Sequence, residues 1–144
     1  MKESIANAFI VNMVIVFFII FIFFFAGSLT YSKAFKVKNR IVDIIEKYEE
    51  FNTDAQDEIG KALKEMGYRV NVTNKECPKR PNDSTGQVAE TMSSNDYRYC
   101  VYKYTTTKGE YYGVAAYMYF DIPIIGQSLE FPVYGETKIM GIIR

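Results

Sequence analysis

Histidine and tryptophan are absent from this 144-residue sequence, and cysteine occurs only twice. Histidine is the side chain that most often acts as a general base near neutral pH and most often binds a transition metal, so its absence excludes Ser-His and Cys-His catalysis. Scattered acidic residues such as Asp96, Glu110 and Asp121 lack the spacing of a catalytic motif. We therefore expect no enzymatic activity and no cofactor.

An excess of either charge is also missing, because 17 lysine and arginine residues balance 17 aspartate and glutamate residues. Proteins that bind nucleic acid usually carry a basic face, and blocks of acidic residues usually mark solvated interaction tails. The sequence has neither feature, so we expect no nucleic-acid partner. A structural or binding role remains.

Charge is absent altogether from Ile5 to Leu29. A helix of ~25 residues is ~37 Å long, which is enough to cross a hydrocarbon core of ~30 Å. A cleaved signal peptide would instead have an apolar region of ~7–15 residues followed by a small-residue cleavage site. We therefore predict a short N-terminal segment over residues 1–4 and a transmembrane helix in contact with membrane lipid over residues 5–29.

Glycine and proline are absent from residues 28–51, where apolar side chains recur mostly at intervals of three, four or seven. This spacing predicts an amphipathic stem over residues 30–52, which continues the membrane helix as one rod over about residues 4–51. A second short helix follows, with Thr53 or Asp54 as its N-cap and Gly67 in a left-handed C-cap. Its apolar stripe consists of Ala55, Ile59, Ala62, Leu63 and Met66.

From residue 68 the apolar period changes to two, which is typical of strands. The pattern predicts a short strand over 68–73, a polar loop over 74–96, a hairpin turning at Lys108-Gly109 and a last strand over 128–142. Pro132 cannot donate a ladder hydrogen bond, so we expect that strand at a sheet edge or bulged there. The predicted fold class is α+β, with helices on one face of a small antiparallel sheet in a domain over residues 53–144.

Tyrosine is concentrated in the hairpin, and both faces of its second strand are substantially apolar. One face carries Tyr112, Val114, Ala116, Met118 and Phe120, and the other carries Tyr111, Ala115, Tyr117 and Tyr119. One of them must pack on the helices. The other has two interpretations. Its tyrosines fill a small core and its rim, or Tyr111, Tyr117 and Tyr119 form a surface for a protein partner, since such rings bury a large area at low entropic cost.

The two cysteines, Cys77 and Cys100, have 22 residues between them, and this spacing matches no CxxC or metal-ligand pattern. Without histidine they cannot complete a zinc site. A disulfide would attach the polar loop to a strand, stabilise the fold by ~3 kcal/mol in the chain-entropy model, and indicate an oxidising compartment. The alternative is a pair of buried free thiols in a cytoplasmic domain.

Orientation across the membrane is ambiguous in the residues themselves. Lys33, Lys36, Lys38 and Arg40 follow the span, and basic flanks usually stay in the cytoplasm. Paired cysteines favour the opposite side. Composition alone leaves the two orientations about equal.

The order of a near-terminal acidic residue, an uninterrupted apolar helix and an amphipathic stem that enters a small sheet domain resembles type IV pilin-like proteins. The closer resemblance is to the TadE-like minor pilins of tight-adherence (Tad) pili and to related Gram-positive families of unknown function. It rests on "GSLTYSKAFKVKNRIVDIIEKY" at the end of the span and on "YMYFDIPIIGQSLEFPVYGET" near the C-terminus. Residues 53–96 add nothing specific to it.

The resemblance implies a minor pilin or pseudopilin, a structural subunit of a Tad-like or related surface or secretion apparatus. It implies a single pass through the cell membrane with the C-terminal domain outside the cytoplasm, and incorporation in a surface filament. The implied partners are other pilin-like subunits, bound through the N-terminal helix, and an assembly platform in the membrane.

The N-terminus departs from the pattern of classical prepilins, which have a basic leader ending in glycine or alanine and a glutamate at the fifth mature position. Here Met1 and Lys2 precede Glu3, and the initial methionine favours a chain that is not processed. Glu3 is then the candidate for the acidic residue that neutralises a neighbouring subunit's N-terminus in pilins, and its alternative role is an ordinary interfacial charge. Asn7 and Asn12 are polar groups within the span that we expect to contact neighbouring helices.

The competing hypothesis is a membrane-tethered extracytoplasmic sensor or ligand-binding module. Its site would lie in the polar loop over residues 74–96. Such a protein needs the N-terminal helix as an anchor alone, whereas a pilin needs it for assembly.

Overall fold

A computed structural model describes residues 1–70, 75–82, 88–93, 96–122 and 126–141. Within these ranges, two helices precede four strands: α1 (Lys2–Tyr48), α2 (Thr53–Glu65), β1 (Glu90–Ser93), β2 (Tyr99–Thr106), β3 (Gly109–Ile122) and β4 (Gln127–Glu136). The strands form one antiparallel sheet in the order β1-β2-β3-β4. The predicted α+β class, with a long helix, a short helix and a small antiparallel sheet, is confirmed.

Helix α1 is a single element of 47 residues, about 70 Å long at 1.5 Å per residue. It begins two residues before the start of the predicted rod. It ends at Tyr48, three residues before the predicted end, because Glu49 adopts a left-handed conformation with φ 56°. Residues 1–26 are exposed, whereas the second half buries a stripe against the sheet. That stripe consists of Ala34, Val37, Ile41, Ile44 and Ile45.

Helix α2 begins with an N-cap that differs from the predicted one. The cap is Asn52, whose side-chain oxygen accepts a hydrogen bond from the backbone N–H of Ala55 at 2.9 Å, so the prediction of Thr53 or Asp54 is wrong by one or two residues. Asn52 has the extended backbone of an N-cap, while Thr53 is already helical. Gly67 is left-handed, with φ 61°, as predicted. Hydrogen bonds from Lys47 and Tyr48 lower the pKa of Glu58 and join α2 to α1.

The sheet matches the predicted hairpin and the predicted edge strand. β2 and β3 pair along their length around the turn before Gly109, from Thr106↔Gly109 to Tyr99↔Ala116. Pro132 lies in β4, which pairs with β3 and forms the outer strand of the sheet. An edge position tolerates its missing N–H. β4 ends at Glu136, and the chain beyond continues along β3 through hydrogen bonds between Met140 and Glu110.

Two predictions about the middle of the chain need correction. The segment over 74–96 is not a continuous loop, because β1 pairs with β2 and Pro81 forms an isolated bridge with Val88. β1 is short and mostly polar, so its sequence carries no clear alternation. In the predicted strand over 68–73, the described part has one bridge, between Val70 and Tyr97. Residues 71–73 lie outside the described residues.

The main core lies between the two helices and one face of the sheet. The face with even-numbered β3 residues packs on the helices. Tyr68, which follows α2, closes this core. Its buried hydroxyl donates to the carbonyl of Arg98 at 2.6 Å and accepts the N–H of Tyr117 at 2.8 Å. The buried strand residues of this core are Tyr99, Val101, Tyr112, Val114 and Ala116.

Candidate functional site

The opposite face of the sheet carries a second buried cluster, which we call the tyrosine layer. Strands β2 and β3 supply most of it, and the described parts of the segment between α2 and β2 cover it. Its buried members are Ala89, Cys100, Tyr102, Tyr104, Ala115 and Tyr117, and its partly buried members are Cys77, Tyr111, Tyr119 and Tyr134. The domain therefore has a core on each side of its sheet.

A disulfide between Cys77 and Cys100 holds the covering segment on the tyrosine layer. The Cα atoms of the two residues are 5.8 Å apart. Next to this link the Tyr102 hydroxyl donates to the carbonyl of Pro78 at 2.7 Å. The predicted disulfide is confirmed, and the alternative of two free thiols is wrong.

The predicted partner surface over Tyr111, Tyr117 and Tyr119 needs correction at its centre. Tyr117 is 5% exposed and lies under the guanidinium of Arg98, which is 4.1 Å from the ring centroid, so it belongs to the core. Tyr111 stacks on Tyr104 with a centroid distance of 4.8 Å. Tyr119 lies under Arg69, and burial raises its pKa to about 12. Tyr111 and Tyr119 are half-buried, and a partner role for these two stays a prediction.

Arg98 is a buried cation that the sequence interpretation missed. Its side chain donates to the carbonyl of Lys75 at 3.3 Å, and its Nε lies 3.7 Å from a carboxylate oxygen of Glu130. Lys75 is 3.4 Å from the same carboxylate. This group ties the covering segment to β4. Its only signal in the sequence is a basic residue within a predicted strand, which is too common to be informative.

A small cleft of about 170 Å³ opens at the edge of the tyrosine layer. It is lined by Arg80, Pro81, Tyr104, Tyr111, Tyr134 and Glu136. The Arg80 guanidinium is 4.1 Å from the Tyr134 ring centroid. Burial and the neighbouring Tyr104 hydroxyl raise the pKa of Tyr134, so this phenol stays protonated near neutral pH and serves as a hydrogen-bonding group rather than a base.

A larger cleft, of about 330 Å³, lies where α1 leaves its apolar half. Its walls come from Leu29 to Ala34 on α1, from the segment after α2 and from the end of β3. Lys33 crosses it and donates to the carbonyl of Gly67 at 2.9 Å. Arg69 lies on its other side, 3.7 Å from a carboxylate oxygen of Asp121. We call this the juxtamembrane cleft.

The three predicted assembly residues lie on the exposed half of α1, but not on one face. Glu3 and Asn7 are one turn apart and share a side of the helix. At about 100° per residue, Asn12 lies nearly opposite to Glu3. One flat interface between two helices cannot contain all three. Their contact with neighbouring helices stays a prediction.

Helix α1 is long and apolar enough to cross a membrane. Within the described ranges, no group of three or more cysteine, aspartate or glutamate side chains is placed to hold a metal ion. Comparisons of the chain with protein-family models, with curated proteins and with solved structures give no match in any of the three.

Proposed function

We propose that this protein is a membrane-anchored, pilin-like structural subunit with its folded domain outside the cytoplasm. The observation that carries the proposal is the continuity of α1. Residues 2–26 of this helix are exposed and, after Glu3, uncharged, while its second half packs in the core of the sheet domain. One continuous helix therefore joins the anchor to the domain. A protein that only needs tethering can use a flexible linker instead.

The disulfide supports the extracytoplasmic orientation, because disulfides persist in oxidising compartments and are rare in the cytosol. The basic flank, which favours the opposite orientation, has a structural explanation. Lys33 donates to Gly67, Lys38 lies 4.3 Å from the Phe35 ring centroid, and Arg40 lies 4.0 Å from a Glu58 oxygen. Three of the four basic residues thus make contacts within the fold, so their presence is weaker support for a cytoplasmic domain than their number suggests.

Assembly would proceed through the exposed half of α1, with other pilin-like subunits as partners, a membrane platform as the assembly site and a surface filament as the product. The hydrophobic effect does not drive helices together in lipid, so their packing depends on shape and on sparse polar contacts. Asn7 and Asn12 supply amides there, and an unpaired amide in hydrocarbon is costly.

We predict that Asn12→Leu, and separately Glu3→Ala, weakens in-membrane crosslinking between the N-terminal helices severalfold and leaves insertion and the disulfide intact. Photo-crosslinking in the membrane measures the contact between the helices, and gel mobility with and without reductant measures the disulfide. Ile20→Leu, an apolar change on the same exposed helix, is the matched control and is expected to be silent. Unchanged crosslinking in both variants, and in a span replaced by leucine, would support simple tethering.

A tethered ligand-binding module is the second candidate function. The favouring observation is the small cleft at the tyrosine layer, which a disulfide-anchored segment helps to form with Arg80 and Pro81. Such a module would keep its ligand affinity when leucine replaces the residues of the span. A pilin-like subunit with the same replacement would lose assembly.

A further inference from the structure

The face of the sheet that packs on α1 extends beyond the helical core toward the apolar half of α1. Ala116 and Val133 face each other across β3 and β4 and are buried. The next pairs along the two strands are Met118 with Phe131 and Phe120 with Leu129. Leu129 and Phe131 are 44% and 48% exposed. These four side chains, Met118, Phe120, Leu129 and Phe131, form what we call the proximal patch.

Two close approaches show how the strands run relative to the helix. A Cβ added at Gly27 would lie 2.9 Å from the Phe120 ring, and one added at Gly135 would lie 2.6 Å from the Lys38 side chain. Gly135 pairs with Val114. From Lys38 back to Gly27 the helix descends about 16 Å, and from Val114 to Phe120 the strand advances about 20 Å. β3 therefore runs alongside α1 toward its N-terminal, apolar half.

The proximal patch consequently reaches the level of the apolar segment itself. Phe120 meets α1 at Gly27, two residues inside the uncharged stretch that ends at Leu29. Tyr31 lies one turn above Gly27 on the same side of α1, and interfacial tyrosines are typical of the membrane boundary. If α1 spans a bilayer, these residues are at the depth of its interface.

The positions of the charged side chains near the patch also agree with a location at the membrane interface. Lys33 and Arg69 lie at the juxtamembrane cleft, at the height expected for lipid phosphates. The exposed carboxylate of Asp121 is on the other face of β3 and lies 3.7 Å from Arg69, so its charge is offset. Glu130 also faces away and is paired with Arg98 and Lys75. Residues 123–125 lie outside the described part of the chain and are not counted in the patch.

We propose that the proximal patch is a membrane-docking surface that inserts into the interface of the bilayer leaflet that α1 crosses. The domain would then lie on the membrane, held by the helix and by the sheet, instead of standing clear of it. This inference rests on the anchoring part of the proposed function and is independent of pilin assembly. The partner that we infer for the patch is lipid, because the patch is continuous with the lipid-facing surface of α1.

The absence of tryptophan allows a direct test, since one introduced tryptophan is a unique reporter. The full chain is reconstituted at low density in vesicles of anionic and neutral phospholipid, with bromine at a known depth in the acyl chains. Phe131→Trp reports on the patch, and Leu129→Trp is a second reporter in case the first perturbs folding. Ile139→Trp is the matched control because Ile139 is 49% exposed, close to the value of Phe131, but follows β4 near the opposite end of β3. Phe25→Trp reports on the span itself.

We expect blue-shifted, bromine-quenched emission from Phe131→Trp and Phe25→Trp, and water-like, unquenched emission from Ile139→Trp. If Phe131→Trp and Leu129→Trp resemble Ile139→Trp while Phe25→Trp is quenched, docking is overturned and anchoring stands. Blue-shifted emission at the patch without quenching would mean that protein covers it, which also overturns lipid docking. Failure of quenching at Phe25→Trp would overturn the anchor, and with it both proposals.

Discussion

Replacing Cys77 and Cys100 together by serine is expected to lower the free energy of unfolding of the full chain by about 3 kcal/mol. The link closes a loop with a sequence separation of 23, so its loss releases the unfolded chain from that constraint. Denaturant titration of the detergent-solubilised protein, followed by near-ultraviolet circular dichroism of the tyrosines, measures the change. Reductant should destabilise the natural protein by a similar amount and leave the double variant unaffected.

We also expect the loss of stability to begin locally, in the segment that the disulfide holds. The segment over 75–82 is held on the tyrosine layer by the disulfide, by the Tyr102 hydroxyl on Pro78 and by Arg98 on Lys75. In the double variant its amide hydrogen exchange should accelerate before that of α1 and β3, whose core lies on the other face. Equal stability of the two proteins, or acceleration that begins in α1, would contradict this account.

Gly109→Ala is expected to destabilise the domain by about 2–5 kcal/mol, from backbone strain and overpacking together. Gly109 has φ 144°, a conformation that side-chain-bearing residues rarely adopt. A Cβ there would lie 2.5 Å from the carbonyl oxygen of Met140 and 2.8 Å from the Cα of Gly141. Both obstacles are backbone atoms, so the segment after β4 would have to shift away from Gly109.

Gly60→Ala is the matched control for that substitution. Gly60 lies inside α2, and a Cβ added there meets nothing within 4 Å. Alanine should therefore stabilise the helix by about 0.5–1 kcal/mol. Thermal unfolding of both variants and the natural protein measures the difference. The unfolding temperature should fall in Gly109→Ala and rise in Gly60→Ala. A neutral Gly109→Ala would contradict both the positive φ of Gly109 and the contact of the segment after β4 with the hairpin.

Elements with a strong local signal were predictable. Seven phenylalanines and no charge between Ile5 and Leu29, then a helical apolar period without glycine or proline, specify α1 without tertiary information. The hairpin was also predictable, since its turn glycine lies between two alternating segments. The missing donor of Pro132 restricted β4 to an edge position or a bulge, and the structure has the edge position.

What escaped prediction depends on contacts between distant parts of the chain. Nothing in the sequence shows that the segment around Cys77 covers the tyrosine face, so a core position and a partner surface both stayed open for Tyr117. β1 gains its strand conformation from pairing with β2, not from its own polar residues. Arg98 is buried because Glu130, from β4, approaches its Nε. The angular positions of Glu3, Asn7 and Asn12 could have been computed from helix geometry in advance.

The most direct test of the membrane-anchored, extracytoplasmic assignment is protease accessibility in intact cells from which the wall has been removed. The account predicts that added protease degrades the domain beyond Tyr31 and leaves a membrane-protected fragment of α1, while a cytoplasmic marker protein stays whole. Because the disulfide stiffens the domain, the digestion is run with and without reductant. Complete protection of the domain in intact cells, with digestion after lysis, would contradict the assignment.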